Sequence, residues 1–332
     1  MIMPAETEVL FINDSQVREL ITQKDVIDAV EDTFISLGNG MLKHPKKFPL
    51  WLDDDNRNML IAMPAYMKDE KVAGVKWYGL FHNQKAGLPS SIGGLLILNS
   101  GETGAPIALI EANSMTVMRT GGGHAVVAAK YLANPDSRIL AIIGCGAQGR
   151  AAMSGFTTEF EFERIKLYNR SATGAERLQK EYSGISAEIT CCETVEEAVR
   201  DADIVVCATA SKQPIITCDM AKPGMTLIAL NSFHELDPAF GGGNCRWILG
   251  NKDSDSYQIV TNSDFADCGL RMENVTADLG EVVAGKTAGR ISRDEIVVYT
   301  HMGMGSLDIA CGIRVYRKAK QLGMGQKIVF NG

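Results

Sequence analysis

Three features of this sequence predict an α/β fold with a doubly wound parallel sheet. From residue 138 onwards, apolar strand-like runs alternate with helical runs, which is the pattern of sheets built from βαβ units. A glycine-rich turn follows the first of these strands. Residues 45–110 differ, because short β-rich runs there are separated by Gly, Pro and Asn turns, which predicts a mostly antiparallel sheet.

The composition is that of a globular protein with room for two lobes. The chain has 332 residues, of which 45% are hydrophobic and 22% charged. A net charge of −7 provides no basic field for binding nucleic acid or an anionic membrane. No apolar run approaches the roughly 20 residues that cross a bilayer, and the first residues lack the regions of a signal peptide. We therefore expect a cytoplasmic protein without nucleic-acid or membrane partners.

The eight cysteines and five histidines show no spacing typical of a metal site. None of the cysteines forms a C-x-x-C pair, and several lie within apolar runs. We therefore expect neither a disulfide framework nor a bound metal, and a reducing compartment is the simpler interpretation.

The N-terminal region predicts a strand, a capped helix and further strands. Residues 9–13 form a short apolar run. Thr22 and Asp25 have the spacing of a capping box, and the apolar residues after them follow helical spacing as far as Gly38. Further strands are predicted at 59–66, 74–80, 93–99 and 106–112.

Residues 114–133 predict a helix that contains three consecutive glycines, Gly121 to Gly123. Each glycine costs a helix about 0.5–1 kcal/mol relative to alanine. The close approach of a ligand or another backbone would explain them, and so would tight helix packing. The sequence leaves both explanations open.

The region after residue 138 predicts alternating strands and helices. It begins with a strand at 138–144, a helix at 147–160 and a second strand at 164–170. A helix follows at 173–182 and another at 194–202, and strands are predicted at 187–192, 203–210, 225–230 and 247–250. A final helix at about 306–321 stops at Gly323.

Gly144, Gly146 and Gly149 form a G-x-G-x-x-G motif in the context that a dinucleotide-binding Rossmann unit requires. The motif follows a buried strand, opens a helix through Ala147 and Gln148, and leads into a second strand. Gly144 would permit a tight turn, Gly146 a close approach by the pyrophosphate, and Gly149 close packing of the helix on the sheet. The helix N-terminus would face the anion. We expect a nicotinamide dinucleotide as cofactor.

The end of the second strand indicates which dinucleotide is bound. An acidic residue there binds the ribose 2′-hydroxyl, whereas an arginine can accept a 2′-phosphate. This sequence has Asn169, Arg170 and Ser171 and no carboxylate. The pattern favours NADP(H) over NAD(H). The alternative is that Arg170 lies flat on the adenine, which would leave the preference open.

A series of segments in this order and spacing resembles the ornithine cyclodeaminase/mu-crystallin family. The resemblance spans nearly the whole chain and is more specific than the glycine motif alone. Its segments are MLIAMPAY (59–66), GVKWYG (74–79), the run 87–123, IIGCGAQGR (142–150), DIVVCATAS (203–211), GEVVAGKTAGR (280–290) and the helix that contains Asp308.

The resemblance implies two domains and a hydride-transfer reaction. An α+β substrate-binding and dimerisation domain would be built from both chain ends, residues 1–122 and 306–332, and an NAD(P)-binding Rossmann domain would span 123–305. The family includes ornithine and lysine cyclodeaminases, alanine and arginine dehydrogenases, and reductases of cyclic imino acids. Its members pass hydride between an amino acid's α-carbon and the nicotinamide. A homodimer formed through the first domain is also implied.

The resemblance further implies roles for individual residues. Arg119 would hold the substrate carboxylate, which suits a planar guanidinium. Lys76 would contact the substrate and shuttle a proton, and Met63 would also contact the substrate. Outside the glycine motif and residues 169–171, the implied cofactor contacts are Arg119, Thr120, Thr209, Ala210, Ser211, Met302 and Asp308.

The residues alone favour plainer interpretations of the two cations. Lys76 lies between Val75 and Trp77 in a strand, where a lysine usually faces solvent. Arg119 could equally be a surface cation at a helix end. The resemblance favours the functional interpretation of both.

The sequence departs from the family pattern at three places. Pro45-Lys46-Lys47 stands where many relatives carry an arginine, so Lys47 would replace that arginine. Lysine keeps the positive charge but cannot form the two parallel hydrogen bonds of a guanidinium. The segment after MTLIAL is short, at 231–237, and the aspartate that cyclodeaminases use there has no clear counterpart. His301 stands where relatives often carry serine, close to the expected nicotinamide position.

His234 and His301 are therefore candidate acid/base groups, because histidine titrates near neutrality. The alternative for each is a packing or hydrogen-bonding role. We expect no special role for His44, His82 or His124. Glu235 and Asp237 are interpreted as loop-capping carboxylates.

The leading functional hypothesis is an NAD(P)H-dependent reductase or dehydrogenase of a small imino or amino acid. Arg119 and Lys47 would hold the carboxylate, while Lys76 or a histidine handles the proton. One alternative is an ornithine cyclodeaminase-type lyase, which releases ammonia and recycles its bound NAD. Another is a non-catalytic NADP(H)-binding protein.

Overall fold

Two eight-stranded sheets organise the chain in the computed structural model, each in its own unit. One unit comprises residues 1–119 and 304–332, and the other comprises residues 120–303. The structure describes residues 8–54, 58–81, 92–230, 233–242, 245–261 and 271–329. His82, the motif residues 87–91, Asn231, Ser232 and Cys268 lie outside these ranges.

The sheet of the first unit is mostly antiparallel, as the turn-separated runs predict. Its order is β16-β1-β7-β6-β5-β4-β2, with β3 also paired to β4. Among its described strands, only β1 and β7 pair in parallel. The strands are β1 (Glu8–Ile12), β2 (Leu42–Lys43), β3 (Phe48–Trp51), β4 (Asn58–Met67), β5 (Val72–Phe81), β6 (Ile92–Ser100), β7 (Pro106–Glu111) and β16 (Gln326–Val329).

The described residues of the first unit form four α-helices: α1 (Asp14–Leu20), α2 (Gln23–Gly38), α3 (Asn113–Val117) and α10 (Gly305–Leu322). The predicted capping box of α2 is confirmed, since the Thr22 side chain accepts from the Asp25 amide and the Asp25 side chain from the Thr22 amide. The predicted end of α10 is also confirmed, because Gly323 has φ +67. Helix α10 packs against α2 and against β4, β5 and β6.

Helix α10 covers the face of the sheet that carries Met63, Lys76 and Leu96. These three residues are cross-strand neighbours on β4, β5 and β6, and side chains in register share one face of a sheet. A Cβ at Gly305 would lie 2.8 Å from the Met63 Cβ, so helix and strand are in close contact. Lys76 therefore points into the core of this unit.

The sheet of the second unit is parallel throughout, in the order β10-β9-β8-β11-β12-β15-β13-β14. The first five strands follow the 3-2-1-4-5 order of the Rossmann fold, which confirms the predicted class. The strands are β8 (Ile139–Ile143), β9 (Arg164–Tyr168), β10 (Glu188–Cys191), β11 (Ile204–Cys207), β12 (Thr226–Ala229), β13 (Arg246–Leu249), β14 (Val275–Asp278) and β15 (Val297–Thr300).

The helices around this sheet are mostly those that the alternating pattern predicts. They are α4 (Ala125–Leu132), α5 (Ala147–Glu159), α6 (Ala172–Glu181), α7 (Val195–Val199), α8 (Lys252–Thr261) and α9 (Leu279–Val283). Between α3 and α4 the chain forms a π-helical turn, Met118–His124. No helix in the described ranges is long and apolar enough to span a membrane.

The glycines of the π-helical turn pack against α5. A Cβ at Gly121 would lie 2.2 Å from the Gln148 carbonyl oxygen, and a Cβ at Gly155 would lie 2.1 Å from the Gly122 carbonyl oxygen. Of the two explanations that the sequence left open, close helix packing accounts for Gly121.

Gly149 brings α5 close to the glycine turn. A Cβ at Gly149 would lie 1.8 Å from the Gly144 carbonyl oxygen, whereas a Cβ at Gly146 would meet no atom within 4 Å. The Gly149→Ala substitution should therefore destabilise the fold by about 1–3 kcal/mol through overpacking. The Gly146→Ala substitution is the matched control and should change stability by less than about 0.5 kcal/mol. Urea unfolding without cofactor measures both, and equal midpoints would contradict this packing.

Candidate active site

The glycine motif forms the tight turn that the sequence predicts. Gly144 follows β8 with φ +98, a conformation that favours glycine, and its amide donates to the Tyr168 carbonyl oxygen at 2.8 Å. The backbone at Gly146 is open on its Cβ side. Helix α5 begins at Ala147 and places its N-terminus at this turn. The turn is therefore built for an anionic group that lies against the backbone.

A cleft of about 390 Å³ lies at this turn. Two glycines of the motif and predicted residues of two neighbouring loops line it. The predicted cofactor residues that line it are Gly144, Gly146, Asn169, Arg170, Thr209, Ala210 and Ser211.

Asn169 stabilises the cleft through its own turn. Its Oδ1 accepts from the Cys145 amide at 3.0 Å, and its Nδ2 donates to the Ser171 carbonyl oxygen at 2.8 Å. Arg170 beside it is exposed. A cation and no carboxylate therefore stand at the end of β9 on this side of the cleft.

Gln148 and Thr120 lie in elements next to the turn. The Gln148 Oε1 accepts from the Gly121 amide at 2.9 Å, which joins α5 to the π-helical turn. Thr120 is buried in that turn, and Met302 is half-buried after β15. Their predicted cofactor contacts stay predictions.

A buried ion cluster joins three of the predicted residues in the first unit. The Asp308 Oδ1 accepts from the Lys76 Nζ at 3.0 Å and from the Arg119 Nε at 3.1 Å. The side chains are 2%, 5% and 0% exposed for Lys76, Arg119 and Asp308. The Lys76 Nζ also donates to the Thr116 Oγ1 at 3.3 Å and lies 4.8 Å from the centre of the Tyr78 ring.

The solvent-facing interpretation of Lys76 and the surface interpretation of Arg119 are therefore wrong. Alternation along β5 turns Trp77 outwards and Lys76 inwards, against α10. The ion-pairing role of Asp308 was not predicted, because the sequence gives no sign that α10 returns to β5. Its predicted contact with the cofactor stays a prediction.

Burial and neighbouring charges shift the pKa values of Lys76 and Asp308 in the cluster. Burial lowers the pKa of Lys76 to about 8, because the low-dielectric interior disfavours the ammonium; Arg119 and Lys47 act in the same direction, while Asp308 opposes them. Burial would raise the pKa of Asp308, but the charges of Arg119 and Lys76 outweigh it and the pKa lies below its usual value. The cluster thus combines a fixed carboxylate with a lysine that can exchange its proton near neutral pH.

One oxygen of Asp308 is available for a further interaction. Oδ1 accepts from both cations, whereas the buried Oδ2 has no hydrogen-bond partner among the described residues. Met63, predicted to contact the substrate, is buried beside Lys76 on β4, and Lys47 is half-buried.

His44 lies near this cluster, although no role was expected for it. Burial lowers its pKa to about 4 despite the opposing charge of Asp308, so the imidazole is neutral at physiological pH. Its Nδ1 has no hydrogen-bond partner within the described part of the chain. A histidine before a proline carried no sequence signal for this position.

His301 lies in a buried aromatic cluster of the second unit. The Gly303 amide donates to its Nδ1 at 3.0 Å, so the neutral ring carries its proton on Nε2. The ring centre lies 3.7 Å from that of His124, which hydrogen-bonds to the Tyr299 hydroxyl. His234 is half-buried in the short 3₁₀ turn Phe233–Glu235. No sequence pattern indicates the His124 contacts.

The described residues contain no group of three or more His, Cys, Asp or Glu side chains arranged to hold a metal ion. Tyr299 is fully buried, and burial raises its pKa well above the usual value, with Asp255 and Asp278 adding to the effect.

Comparisons with known proteins match nearly the whole chain. The model of the ornithine cyclodeaminase/mu-crystallin family matches residues 7–239 and 243–323. The alanine dehydrogenase of Archaeoglobus fulgidus is 30% identical over 330 residues, which cover 97% of this chain and 99% of that protein.

Two solved structures are similar over comparable lengths. An archaeal alanine dehydrogenase dimer with bound NAD has a TM-score of 0.89 at 29% identity, covering 98% of this chain and 100% of that one. The Δ1-pyrroline-2-carboxylate reductase of Thermococcus litoralis, in complex with NADH and L-proline, has a TM-score of 0.85 at 28% identity, covering 96% and 100%. Both of these relatives hold a nicotinamide cofactor.

The Asp308→Asn substitution tests the buried cluster. It removes the one negative charge that faces two buried cations, so the free energy of unfolding should fall by about 3–5 kcal/mol. The control is Asp136→Asn, which removes a carboxylate of the exposed Asp136–Arg293 pair and should leave stability unchanged within error. Urea unfolding at pH 7 measures both. Equal stability of the two variants would contradict an ionised cluster.

Proposed function

The chain belongs to the ornithine cyclodeaminase/mu-crystallin family, and on this premise we propose that it is an NAD(P)H-dependent oxidoreductase of a small amino or imino acid. Hydride would be transferred at the α-carbon. The observation that carries the proposal is the buried cluster of Lys76, Arg119 and Asp308. It combines a guanidinium for a carboxylate with a lysine that titrates near neutrality.

Arg119 and Lys47 are proposed to hold the substrate carboxylate. Asp308 accepts from the Nε of Arg119 at 3.1 Å. A planar guanidinium can also bind a carboxylate through two parallel N–H groups, and this is the geometry that we propose for the substrate. Lys47 adds a second positive charge near Lys76. Met63 would border the bound substrate from β4.

Lys76 is proposed to transfer the proton that accompanies hydride transfer. Its pKa of about 8 means that it is largely protonated at neutral pH and can still release its proton. In the reductive direction the ammonium donates to the substrate nitrogen. The rate of reduction should therefore fall as the pH rises above about 8.

His234 and His301 remain proposed acid/base groups. With its Nδ1 occupied by the Gly303 amide, neutral His301 would act as a donor through Nε2. The His234→Asn and His301→Asn variants test each role by the pH dependence of kcat. An unchanged pH dependence of kcat would show that the histidine has a packing role and no acid/base role.

The cleft at Gly144 and Gly146 is proposed to hold the cofactor, which supplies the hydride when bound. The open backbone at Gly146 and the N-terminus of α5 fit a pyrophosphate, and Thr209, Ala210 and Ser211 form the opposite wall. Thr120, Ala147, Gln148, Met302 and Asp308 complete the proposed cofactor set.

We further propose that NADP(H) is preferred over NAD(H). Exposed Arg170 follows β9, where a 2′-phosphate would lie, and Asn169 has its amide engaged in the turn. A guanidinium favours a phosphate and has no comparable interaction with a free hydroxyl.

The units are proposed to be a substrate-binding and dimerisation domain and a cofactor-binding domain. Phe48, Trp77 and Leu95 form a cross-strand row with Ala62 between the first two, on the sheet face opposite Lys76. They are 59%, 40% and 42% exposed, and such an apolar face favours self-association. A monomer in sedimentation equilibrium would contradict the homodimer.

The proposed location is the cytoplasm. The seven described cysteines are all free, in keeping with a reducing compartment. Cell fractionation tests this location.

Reaction of the protein with NADPH tests the proposed activity. NADPH absorbance should fall when cyclic imino acids, or pyruvate with ammonium, are added. In Lys76→Met, kcat should fall by about a hundredfold or more through loss of the proton donor. Lys71→Met, at an exposed ion pair with Glu102, is the control and should retain full activity.

Other outcomes of this assay identify the other functions. Ammonia released from ornithine without net loss of NADPH would show a cyclodeaminase-type lyase instead. Tight NADPH binding without turnover of any amino or imino acid would show a binding protein.

The Arg170→Gln substitution tests the cofactor preference. The Kd of NADPH should rise about tenfold, because a charge-assisted contact with the phosphate is lost. The Kd of NADH should change little. Fluorescence titration measures both, and an equal loss for the two cofactors would indicate that Arg170 lies on the adenine. Tighter binding of NADH by the unaltered protein would contradict the preference itself.

A further inference from the structure

Glu235 is a buried carboxylate to which the mechanism above assigns no role. It ends the short 3₁₀ turn Phe233–Glu235 and is 0% exposed. Burial raises its pKa to about 7, although two hydrogen bonds from Thr209 oppose the shift. Burial of a carboxyl group destabilises the folded state unless the group is hydrogen-bonded.

Those hydrogen bonds go to one wall of the cofactor cleft. The Glu235 Oε1 accepts from the Thr209 amide at 2.9 Å and also from the Thr209 hydroxyl. Thr209 lines the cleft. Because its proton goes to Glu235 and its Oγ1 accepts from the Ser211 amide at 3.1 Å, the Thr209 hydroxyl has a fixed orientation.

The backbone of Glu235 holds the far end of the same loop. Its carbonyl oxygen accepts from the amides of Ile215 and Ile216, each at 2.9 Å, and Ile215 also lines the cleft. Leu236 pairs with Ile216 in a parallel bridge. Glu235 therefore fastens both ends of the loop 209–216 to the segment that follows β12.

We propose that Glu235 is a positioning residue for the cofactor, which acts through Thr209. It would orient the Thr209 hydroxyl so that its oxygen accepts from a ribose hydroxyl of the dinucleotide. It would also hold the loop 209–216 in place, so that the cleft keeps its width. The proposal rests on the proposed function, since it requires a dinucleotide in that cleft. It also gives residues 233–237 a role in cofactor binding.

The second oxygen of Glu235 indicates that the side chain does more than fill space. Oε2 is buried and has no hydrogen-bond partner among the residues that the structure describes. A side chain that served only to fill space would not need a carboxyl group there. The arrangement does need an acceptor at Oε1, which glutamine also provides.

The test is a titration of NADPH and NADH, followed by fluorescence at pH 8, with a set of folded variants. Glu235→Ala should raise the Kd of both cofactors about tenfold, since hydrogen bonds to a charged group are lost. Glu235→Gln keeps an acceptor oxygen and should bind within about threefold of the unaltered protein. Asp237→Asn, in the same segment but bonded to Cys218 and Ala239, is the matched control and should leave both Kd values unchanged.

A double-mutant cycle with Thr209→Val shows whether Glu235 acts through Thr209. Removal of the hydroxyl should itself weaken binding, and Glu235→Ala should add little in that background. Additive effects, or equal losses in Glu235→Ala and Asp237→Asn, would overturn the proposal. If the Glu235→Ala variant does not fold, the Thr209→Val variant still tests the proposal. Unchanged Kd values for NADPH and NADH in that variant would overturn it. Failure of the unaltered protein to bind either cofactor would instead refute the proposed function.

Discussion

The carboxylate of Asp308 is the constraint on which the buried ion cluster of the first unit depends. Lys76 and Arg119 are both buried, and two buried cations would repel each other and pay desolvation twice without a shared anion. Asp308 lies in the first turn of α10, and this helix packs on β4, β5 and β6. The packing of one helix therefore fixes the position of both cations and the titration of Lys76.

The cleft at the glycine turn of the second unit depends on backbone shape more than on charge. Gly144 makes the turn and Gly149 brings α5 close to it, while the open backbone at Gly146 leaves room for a phosphate. Hydrogen bonds then fix the walls, from Asn169 on one side and Glu235 on the other. A negatively charged protein can hold an anionic dinucleotide in this way, because backbone amides and a helix N-terminus supply the positive potential.

The sequence predicts features that are written locally and misses contacts that join distant segments. Strand–helix alternation, the capping box of Thr22 and the turn at Gly144 follow from neighbouring residues, and the structure confirms them. The pairing of β16 with β1 joins the two chain ends and left no local pattern. The same limit applies to the site: Lys76 and Asp308 are 232 positions apart, so the family pattern could mark each residue while only the fold brings them together.

Transfer of isotope from the cofactor to the product tests the central claim most directly. The protein would be incubated with NADPH that carries deuterium at C4 on the transferred position, together with a cyclic imino acid, and the product analysed by mass spectrometry and NMR. The account predicts one deuterium at the α-carbon of the amino acid formed. Product without deuterium at that carbon, or deuterium that stays in the cofactor while ammonia is released, would contradict it.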